Sequence, residues 1–187
     1  MSISTVIVLA IIVIALIWAI GVYNGLISMR QRVNQAFADV DVQLRQRHDL
    51  IPNLVETVKG YAAHERGTLD DVVKARNAAV AAQGPAQQAA AENQLTGALR
   101  QLFALAENYP ELKASSNFQQ LQAELSDLEN KIAASRRFFN SAVQEYNTGI
   151  QRFPAALFAS SFGFAPKNFF DLGEDRATVG EAPAVKF

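Results

Sequence analysis

The apolar positions of this chain begin as one uninterrupted run, because residues 6–22 contain only apolar residues and glycine. With the three residues before it, the run reaches about 20 residues, and at about 1.5 Å rise per residue such a helix spans a hydrocarbon core about 30 Å thick. The pattern predicts a transmembrane anchor over residues 1–23. A buried core helix and a cleaved signal peptide are the alternatives, but a signal peptide carries a basic residue before its apolar centre, and the first basic residue here is Arg30.

Beyond the anchor the apolar positions become periodic, at the spacings that form one stripe of a helix. The stripe consists of Leu26, Val33, Phe37, Val40, Leu44 and Ile51. It predicts that the membrane helix continues into the following domain. Pro52 lacks a backbone donor and disfavours helical structure at the residue before it. We therefore expect a turn at residues 49–52 and a second helix beyond it.

Glycine and proline divide the next part of the chain into two further helices. Gly60 and Gly67 predict an interruption of the second helix, with Thr68 as a candidate N-cap, and the Gly-Pro pair at residues 84–85 ends it. The third helix covers residues 86–107 and stops at the Asn-Tyr-Pro sequence that follows. The short connections favour an antiparallel arrangement of neighbouring helices.

The fourth helix has the most regular pattern, with an apolar residue at every seventh position and a second apolar or small residue between. The seven-residue series is Phe118, Leu125, Ile132, Phe139, Tyr146 and Phe153. This coiled-coil seam and the three earlier helices predict an all-α fold. In it, the N-terminal transmembrane helix continues into an antiparallel up-down four-helix bundle over residues 24–154.

The remaining residues, 155–187, form a Phe-rich C-terminal segment and a loose tail. The phenylalanines follow no clear period and are candidate contacts to a partner or to another copy of the chain: Phe158, Phe162, Phe164, Phe169 and Phe170. Three destinations are open for them, namely the core of their own bundle, a neighbouring subunit or the membrane surface. The second would make the chain a homo-oligomer.

Composition excludes several functions. The net charge is −1 and no Lys/Arg cluster is present, so we expect no nucleic-acid partner. The absence of cysteine excludes disulfides and thiolate chemistry. The sequence has neither a Gly-rich phosphate loop nor a serine-hydrolase elbow. No cofactor is predicted.

A dense set of polar residues surrounds the predicted first turn. These residues are candidate partner contacts: Asp39, Asp41, Arg45, Arg47, His48 and Asp49. A structural hydrogen-bond network, a partner-binding patch and catalysis with His48 or His64 as base are the three interpretations. The two histidines lack the i, i+4 spacing of a helical metal site. We predict neither a metal site nor a catalytic site, and we expect a structural network or contacts to a partner.

The charges beside the anchor predict its orientation. Arg30 and Arg32 follow the apolar run closely, whereas no Lys or Arg precedes it. The positive-inside rule then places the domain in the cytoplasm. We therefore expect a single-pass protein, with the lipid bilayer as its first partner and its bundle on the cytoplasmic side.

Two blocks of sequence resemble the LemA family. The first includes Tyr23-Asn24, Asp39-Val40-Asp41-Val42-Gln43-Leu44 and Arg47-His48-Asp49-Leu50-Ile51-Pro52-Asn53-Leu54-Val55. The second includes Arg136-Arg137-Phe138-Phe139-Asn140, Phe153-Pro154 and Phe162-Gly163-Phe164. The resemblance covers nearly the whole chain, although residues 80–115 match only in helical character. Some family members carry a lipid-attachment cysteine just before the Tyr-Asn pair, where this chain has Val22.

The resemblance implies an antiparallel helical bundle anchored in a bacterial inner membrane, without known catalytic activity. Magnetosome-associated relatives suggest, by analogy of fold, a role in organising membrane. Our hypothesis is a non-enzymatic scaffold that self-associates and organises membrane or envelope components. The alternative is a monomeric membrane-anchored adaptor, whose polar patch at the first turn holds an envelope or signalling protein.

Overall fold

The computed structural model describes residues 2–170, and every regular element within them is helical. The helices are α1 (Ile3–Lys59), α2 (Arg66–Ala81), α3 (Gly84–Ala106), α4 (Pro110–Lys113) and α5 (Ser116–Gln151). A short 3-10 helix, Ala155–Leu157, follows α5. The all-helical fold class with a long apolar N-terminal helix is confirmed, whereas α4 was not predicted. The predicted loose tail lies outside the described residues.

The surroundings of α1 change along its length. The large apolar side chains of residues 6–20 are between 47% and 66% exposed. From Leu26 onward one stripe is buried, and it consists of Leu26, Val33, Ala36, Val40, Leu44 and Ile51. Among the described residues, α1 is the single helix long and apolar enough to cross a membrane. It continues beyond the apolar run, as the change of pattern predicts, and it is unbroken from Ile3 to Lys59.

The predicted turn at residues 49–52 is wrong, because Pro52 lies inside α1. A proline in a helix interior has no amide to donate to the carbonyl four residues earlier. Here that carbonyl belongs to His48. Arg76 of α2 supplies a donor instead, with its Nε 3.3 Å from the His48 oxygen. This side-chain replacement of the missing backbone bond is one reason that α1 continues past the proline.

The interruption that glycine predicts falls at Gly60 and not at Gly67. Helix α1 ends one residue before Gly60, and Gly67 lies in the first turn of α2. Thr68 is consequently not an N-cap; Glu65 occupies that position without a side-chain cap. The turn after Gly60 carries Ala62 into the core, where it is 1% exposed. Burial of Ala62 favours the earlier break. The positions of the glycines alone do not indicate this burial.

Two residues join α2 to α3, and Gly84 opens α3 with a φ of 75°. In this left-handed region a Cβ atom is unfavourable, so glycine is the residue that adopts it at least cost. Pro85 follows in the first turn of α3. Its missing amide is not needed there, because the first amides of a helix have no intrahelical acceptor. The Gly-Pro pair therefore separates the two helices, as predicted.

Helix α5 confirms five of the six members of the seven-residue series. Each of the five is at most 6% exposed: Phe118, Leu125, Ile132, Phe139 and Tyr146. Phe153 does not continue the series, because α5 ends at Gln151 and Phe153 is 77% exposed. The buried seam therefore ends with the helix, and Phe153 belongs to a different environment.

The described residues divide into two compact units, which are called unit 1 (residues 2–37 and 138–167) and unit 2 (residues 38–137 and 168–170). The core of unit 2 is an apolar cluster to which all five α-helices contribute. Its members include Leu54, Leu69, Leu102, Leu112 and Phe118. The predicted domain boundaries at residues 23 and 154 stay predictions.

In unit 1, residues of α1 and α5 meet in reversed order along the sequence. Phe37 contacts Phe139, with 5.5 Å between the ring centroids. Met29 packs on Gly149, where an added Cβ atom would lie 2.7 Å from the Met29 sulfur. The lower residue number in α1 is thus paired with the higher number in α5. Glycine at position 149 permits this close approach.

Candidate functional site

Unit 2 buries an arginine and a histidine that both contact a buried glutamate. Arg47 and His48 are successive residues of α1, Glu92 comes from α3, and none of them is more than 4% exposed. Each carboxylate oxygen of Glu92 takes one contact, since His48 Nε2 lies 2.5 Å from Oε1 and Arg47 donates to Oε2 over 3.3 Å. A lone buried charge is strongly unfavourable. The three side chains, called here the buried network, therefore depend on one another.

Arg47 extends the buried network to a third helix. Its Nη2 donates to Thr96 of α3 at 2.9 Å and to Glu129 of α5 at 3.4 Å. One side chain of α1 thereby joins three helices of unit 2. A cavity of about 260 Å³ borders Arg47 and Glu92. Because the charges are matched by neighbours, the arrangement supports a structural network more than a free acid–base pair.

A second feature of unit 2 is a polar groove of about 410 Å³, lined by α1, α2 and α3. The residues that give it its polarity are Asp41, Arg45, His48, Asp49, Arg76 and Gln88. Arg45 pairs with one oxygen of Asp41 at 2.7 Å, and Gln88 donates to the other at 3.2 Å. The groove presents charges of both signs beside hydrogen-bonding groups. Such a lining suits the polar surface of another protein better than an apolar ligand.

The structure separates the six polar residues predicted around the first turn. Four of them line the polar groove, namely Asp41, Arg45, His48 and Asp49. Arg47 belongs to the buried network, and Asp39 is exposed outside the groove lining. His64 is also exposed. Within residues 2–170, no group of three or more His, Asp or Glu side chains is placed to hold a metal ion.

Three residues of these sites were missed by sequence reasoning: Arg76, Gln88 and Glu92. Two of them, Gln88 and Glu92, have a signal in the sequence, because they extend the buried stripe of α3 to positions before its leucines. The stripe runs through Gln88, Glu92, Leu95, Leu99, Leu102 and Ala106, at alternating spacings of four and three. A carboxylate at a core position of this spacing predicts a buried charge partner. Arg76 carries no such signal, since its acceptor lies on another helix.

The chain that follows α5 packs against α1 of unit 1, and residues 153–164 are called here the aromatic segment. Phe164 is 3% exposed, Phe158 is half-buried and Phe162 is 60% exposed. The ring of Tyr23 lies 5.5 Å from the rings of both Phe162 and Phe164. The guanidinium of Arg30 lies 5.3 Å from the centre of the Phe164 ring. The aromatic segment therefore contacts its own chain.

The two remaining candidate phenylalanines belong to unit 2. Phe170 is 1% exposed, and the guanidinium of Arg136 lies 5.4 Å from the centre of its ring. Phe169 is 46% exposed. The five phenylalanines consequently do not have one common environment, as a single contact surface would require.

Two residues of α5 hold in place the residues that directly follow the aromatic segment. The hydroxyl of Tyr146 donates to the carbonyl of Ala165 at 3.0 Å. The side-chain amide of Asn147 both accepts from and donates to the backbone of Lys167, at 2.8 and 2.9 Å. Burial raises the pKa of Tyr146 above its ordinary value.

Comparison with known proteins identifies relatives of this chain. Residues 36–187 match the model of the LemA family. The magnetosome protein MamQ of Magnetospirillum gryphiswaldense is 25% identical to this chain, over 87% of the chain and 68% of MamQ. Magnetosome protein MamQ 2 of Paramagnetospirillum magneticum is 24% identical with the same coverage. Protein LemA of Metamycoplasma hominis is 26% identical, over 72% of the chain and 62% of that protein. All candidate site residues lie within residues 36–187.

Proposed function

The chain belongs to the LemA family, as its sequence resemblance predicts, and we propose that it is a non-enzymatic, membrane-anchored scaffold. In this proposal it self-associates and organises membrane or envelope components. The observation that carries the proposal is the division of α1 into an exposed apolar part and a part that contributes to a buried core. A single helix of this kind connects a bilayer to a folded domain.

Exposure of the apolar run supports the anchor. Its large side chains are about half exposed or more in the folded chain, and contact of such surface with water is unfavourable. A bilayer removes this contact along a helix of the required length. Arg30 and Arg32 at the domain end favour the bacterial inner membrane with the domain on the cytoplasmic side.

The proposed domain is the antiparallel up-down bundle, formed by the four longer helices α1, α2, α3 and α5. The reversed order of residue pairs in unit 1 supports it. Between the Met29–Gly149 and Phe37–Phe139 pairs, Arg32 of α1 donates to Glu145 of α5 with 2.7 Å between the charged atoms. Three successive pairs thus follow the order expected for antiparallel neighbours.

Apolar residues on the outside of α2 support self-association. Val73 and Val80 are 40% and 55% exposed and lie seven residues apart, on one face of the helix. Similarity to the MamQ proteins, which are named as magnetosome proteins, supports by analogy a role in a cellular assembly. The face that contains Val73 and Val80 is therefore the proposed contact between copies.

The lack of cysteine offers a direct test of self-association in membranes. A Val80→Cys variant, oxidised in isolated membranes, should form a disulfide-linked dimer. The matched control is Asp127→Cys, which places the thiol at an exposed position of α5. Dimer formation at residue 80 alone supports the contact. Equal cross-linking at both positions, or none at either, contradicts it.

The non-enzymatic part of the proposal is supported by the surroundings of His48. A general base must reach the proton that it removes. His48 is 4% exposed, and its Nε2 already contacts Glu92. If substitution of Asp41, His48 and His64 by alanine abolished an activity of the intact protein without unfolding it, this part of the proposal would fail.

The polar groove favours a second candidate function, in which a monomeric chain acts as an adaptor. Arg45 and Asp49 are exposed at its rim. A photoreactive residue at Asp49 should then cross-link a different protein, and Arg45→Glu should reduce the yield. The adaptor function would require that the Val80→Cys variant remain monomeric.

A further inference from the structure

The aromatic segment lies beside the last turns of the apolar run of α1. The ring centroid of Trp18 is 6.4 Å from that of Phe153. Five residues further along α1, Tyr23 contacts the rings of Phe162 and Phe164. The two contacts place both ends of the aromatic segment along residues 18–23, which form the C-terminal part of the predicted anchor.

The aromatic segment exposes large apolar side chains at the same place. Phe153, Leu157 and Phe162 are 77%, 73% and 60% exposed. Contiguous apolar surface of this kind marks a contact with another apolar phase or with a partner. Here the surface is continuous with exposed residues of the apolar run, since Leu16 and Ile20 are also more than half exposed.

An apolar groove of about 340 Å³ connects the two parts of this surface. It is lined by Leu16, Ala19, Ile20, Tyr23, Phe158 and Phe162, none of which is charged. A groove without charges or paired polar groups suits a hydrocarbon chain.

Polar and aromatic residues at the domain end fit the level of lipid headgroups. Trp18 and Tyr23 have the amphipathic rings that favour the membrane–water interface. Arg152 is exposed next to Phe153, and Arg30 lies over the ring of Phe164. Long cationic side chains at the end of an apolar span reach the phosphate level.

We propose that residues 153–162 are a second membrane-contacting element, which inserts into the leaflet on the domain side and seats a phospholipid acyl chain in the apolar groove. The inference rests on the proposed function, because it takes α1 as spanning a bilayer. Continuity with the apolar run favours lipid over a second copy of the chain as the occupant. Each chain therefore contacts the bilayer with α1 and with the aromatic segment together.

Depth-dependent quenching tests the insertion. In the full-length chain, Trp18→Phe removes the single native tryptophan, and Leu157→Trp then adds a reporter in the aromatic segment. The protein is reconstituted in phosphatidylcholine vesicles with acyl chains brominated near the headgroup. We expect strong quenching of this reporter relative to unbrominated vesicles. Asp127→Trp in the same background is the exposed control in unit 2, and it should stay unquenched.

A third reporter separates failure of this inference from failure of the proposed anchor. Ile12→Trp, with Trp18→Phe, lies near the middle of the apolar run, so vesicles with acyl chains brominated near their methyl ends should quench it whenever α1 spans the bilayer. Quenching at residue 12 but not at residue 157 overturns the inference and leaves the anchor intact. Absence of quenching at both positions overturns both. If quenching at residue 157 appears only at high lipid-to-protein ratio, a second copy of the chain occupies this surface at lower ratios. That result also overturns the inference.

Filling the groove tests occupation by an acyl chain. Ala19→Phe should reduce the motionally restricted component of spin-labelled phosphatidylcholine in electron paramagnetic resonance spectra. Ala10→Phe adds the same side chain to the apolar run outside the groove and should leave the component unchanged. An equal restricted component in both variants overturns the acyl-chain site.

Discussion

Unit 2 buries charged side chains, whereas unit 1 exposes large apolar ones. In unit 2, Arg47, His48 and Glu92 are each at most 4% exposed, and the first two both contact Glu92. In unit 1, Phe153 and Phe162 are at least 60% exposed. Each arrangement is unfavourable for an isolated side chain in water or in a protein core.

The difference lies in where each unit finds compensation. The charges of unit 2 are compensated inside the chain, by hydrogen bonds among α1, α3 and α5. The aromatic surface of unit 1 has no comparable cover among the described residues, and in our proposal lipid covers it. Substitutions of the buried charges should therefore affect folding stability, whereas substitutions of the exposed aromatic residues should affect membrane contact.

Removal of the buried carboxylate should have the largest effect. Glu92→Ala leaves His48 without its carboxylate partner and Arg47 without its buried one, and we expect it to lower the free energy of unfolding by about 3–5 kcal/mol. Glu129→Ala removes a half-exposed partner of Arg47 and should cost less than about 1 kcal/mol. Urea denaturation of both variants measures the difference. Similar losses in the two variants would show that the burial of Glu92 is unimportant.

Alanine substitutions of two phenylalanines in the aromatic segment should differ nearly as much in their cost to stability. Phe164 is 3% exposed, and Phe164→Ala should cost about 3–5 kcal/mol through lost burial and the cavity left behind. Phe162 is 60% exposed, and Phe162→Ala should cost less than about 1 kcal/mol in detergent. Thermal unfolding of both variants is the measurement. Equal melting temperatures for the two variants would contradict the predicted difference.

The hydrogen bond from Arg76, which replaces the backbone bond lost at Pro52, should make an intermediate contribution to stability. Arg76→Met leaves the His48 carbonyl without a donor and should cost about 1–3 kcal/mol. In a Pro52→Ala background the restored amide at residue 52 supplies that donor, so the same substitution should cost less, with a coupling energy of about 1 kcal/mol. A double-mutant cycle measures the coupling. Additive costs would exclude this role for Arg76.

Tyr109 should produce the smallest effect, visible only in alkaline solution. Its hydroxyl donates to Glu65 at 3.0 Å, and this hydrogen bond raises its pKa above the ordinary value of 10.0. A raised folded-state pKa means that the stabilisation is complete below pH 10.0 and is lost as the pH rises through the higher folded-state value. Tyr109→Phe should weaken the fall in melting temperature above that pH. Identical pH profiles for the variant and the parent would contradict the prediction.

Local patterns predicted most of the helical structure. The seam of α5 was recognisable because Phe118 and four further members recur at a fixed spacing and are buried. Gly84 was recognisable as a boundary because the conformation at that point favours glycine. Both conclusions depend only on residues that are near one another in the sequence.

The features that sequence reasoning did not predict depend on distant residues. From the sequence alone Pro52 indicates a helix end, because the donor that replaces its missing amide is Arg76 of another helix. Glu92 reads as a surface acid until α1 brings Arg47 to it. The aromatic segment left three destinations open, because the contact of Phe162 with Tyr23 joins residues far apart in the sequence.

The central claim is that the chain is a self-associating membrane protein, and its mass in solution tests this most directly. The full-length protein would be extracted in mild detergent and measured by light scattering with the contribution of the micelle subtracted. We predict a discrete assembly larger than one chain that persists on dilution to micromolar concentration. A monomer under the same conditions would contradict the scaffold and leave the adaptor function in its place.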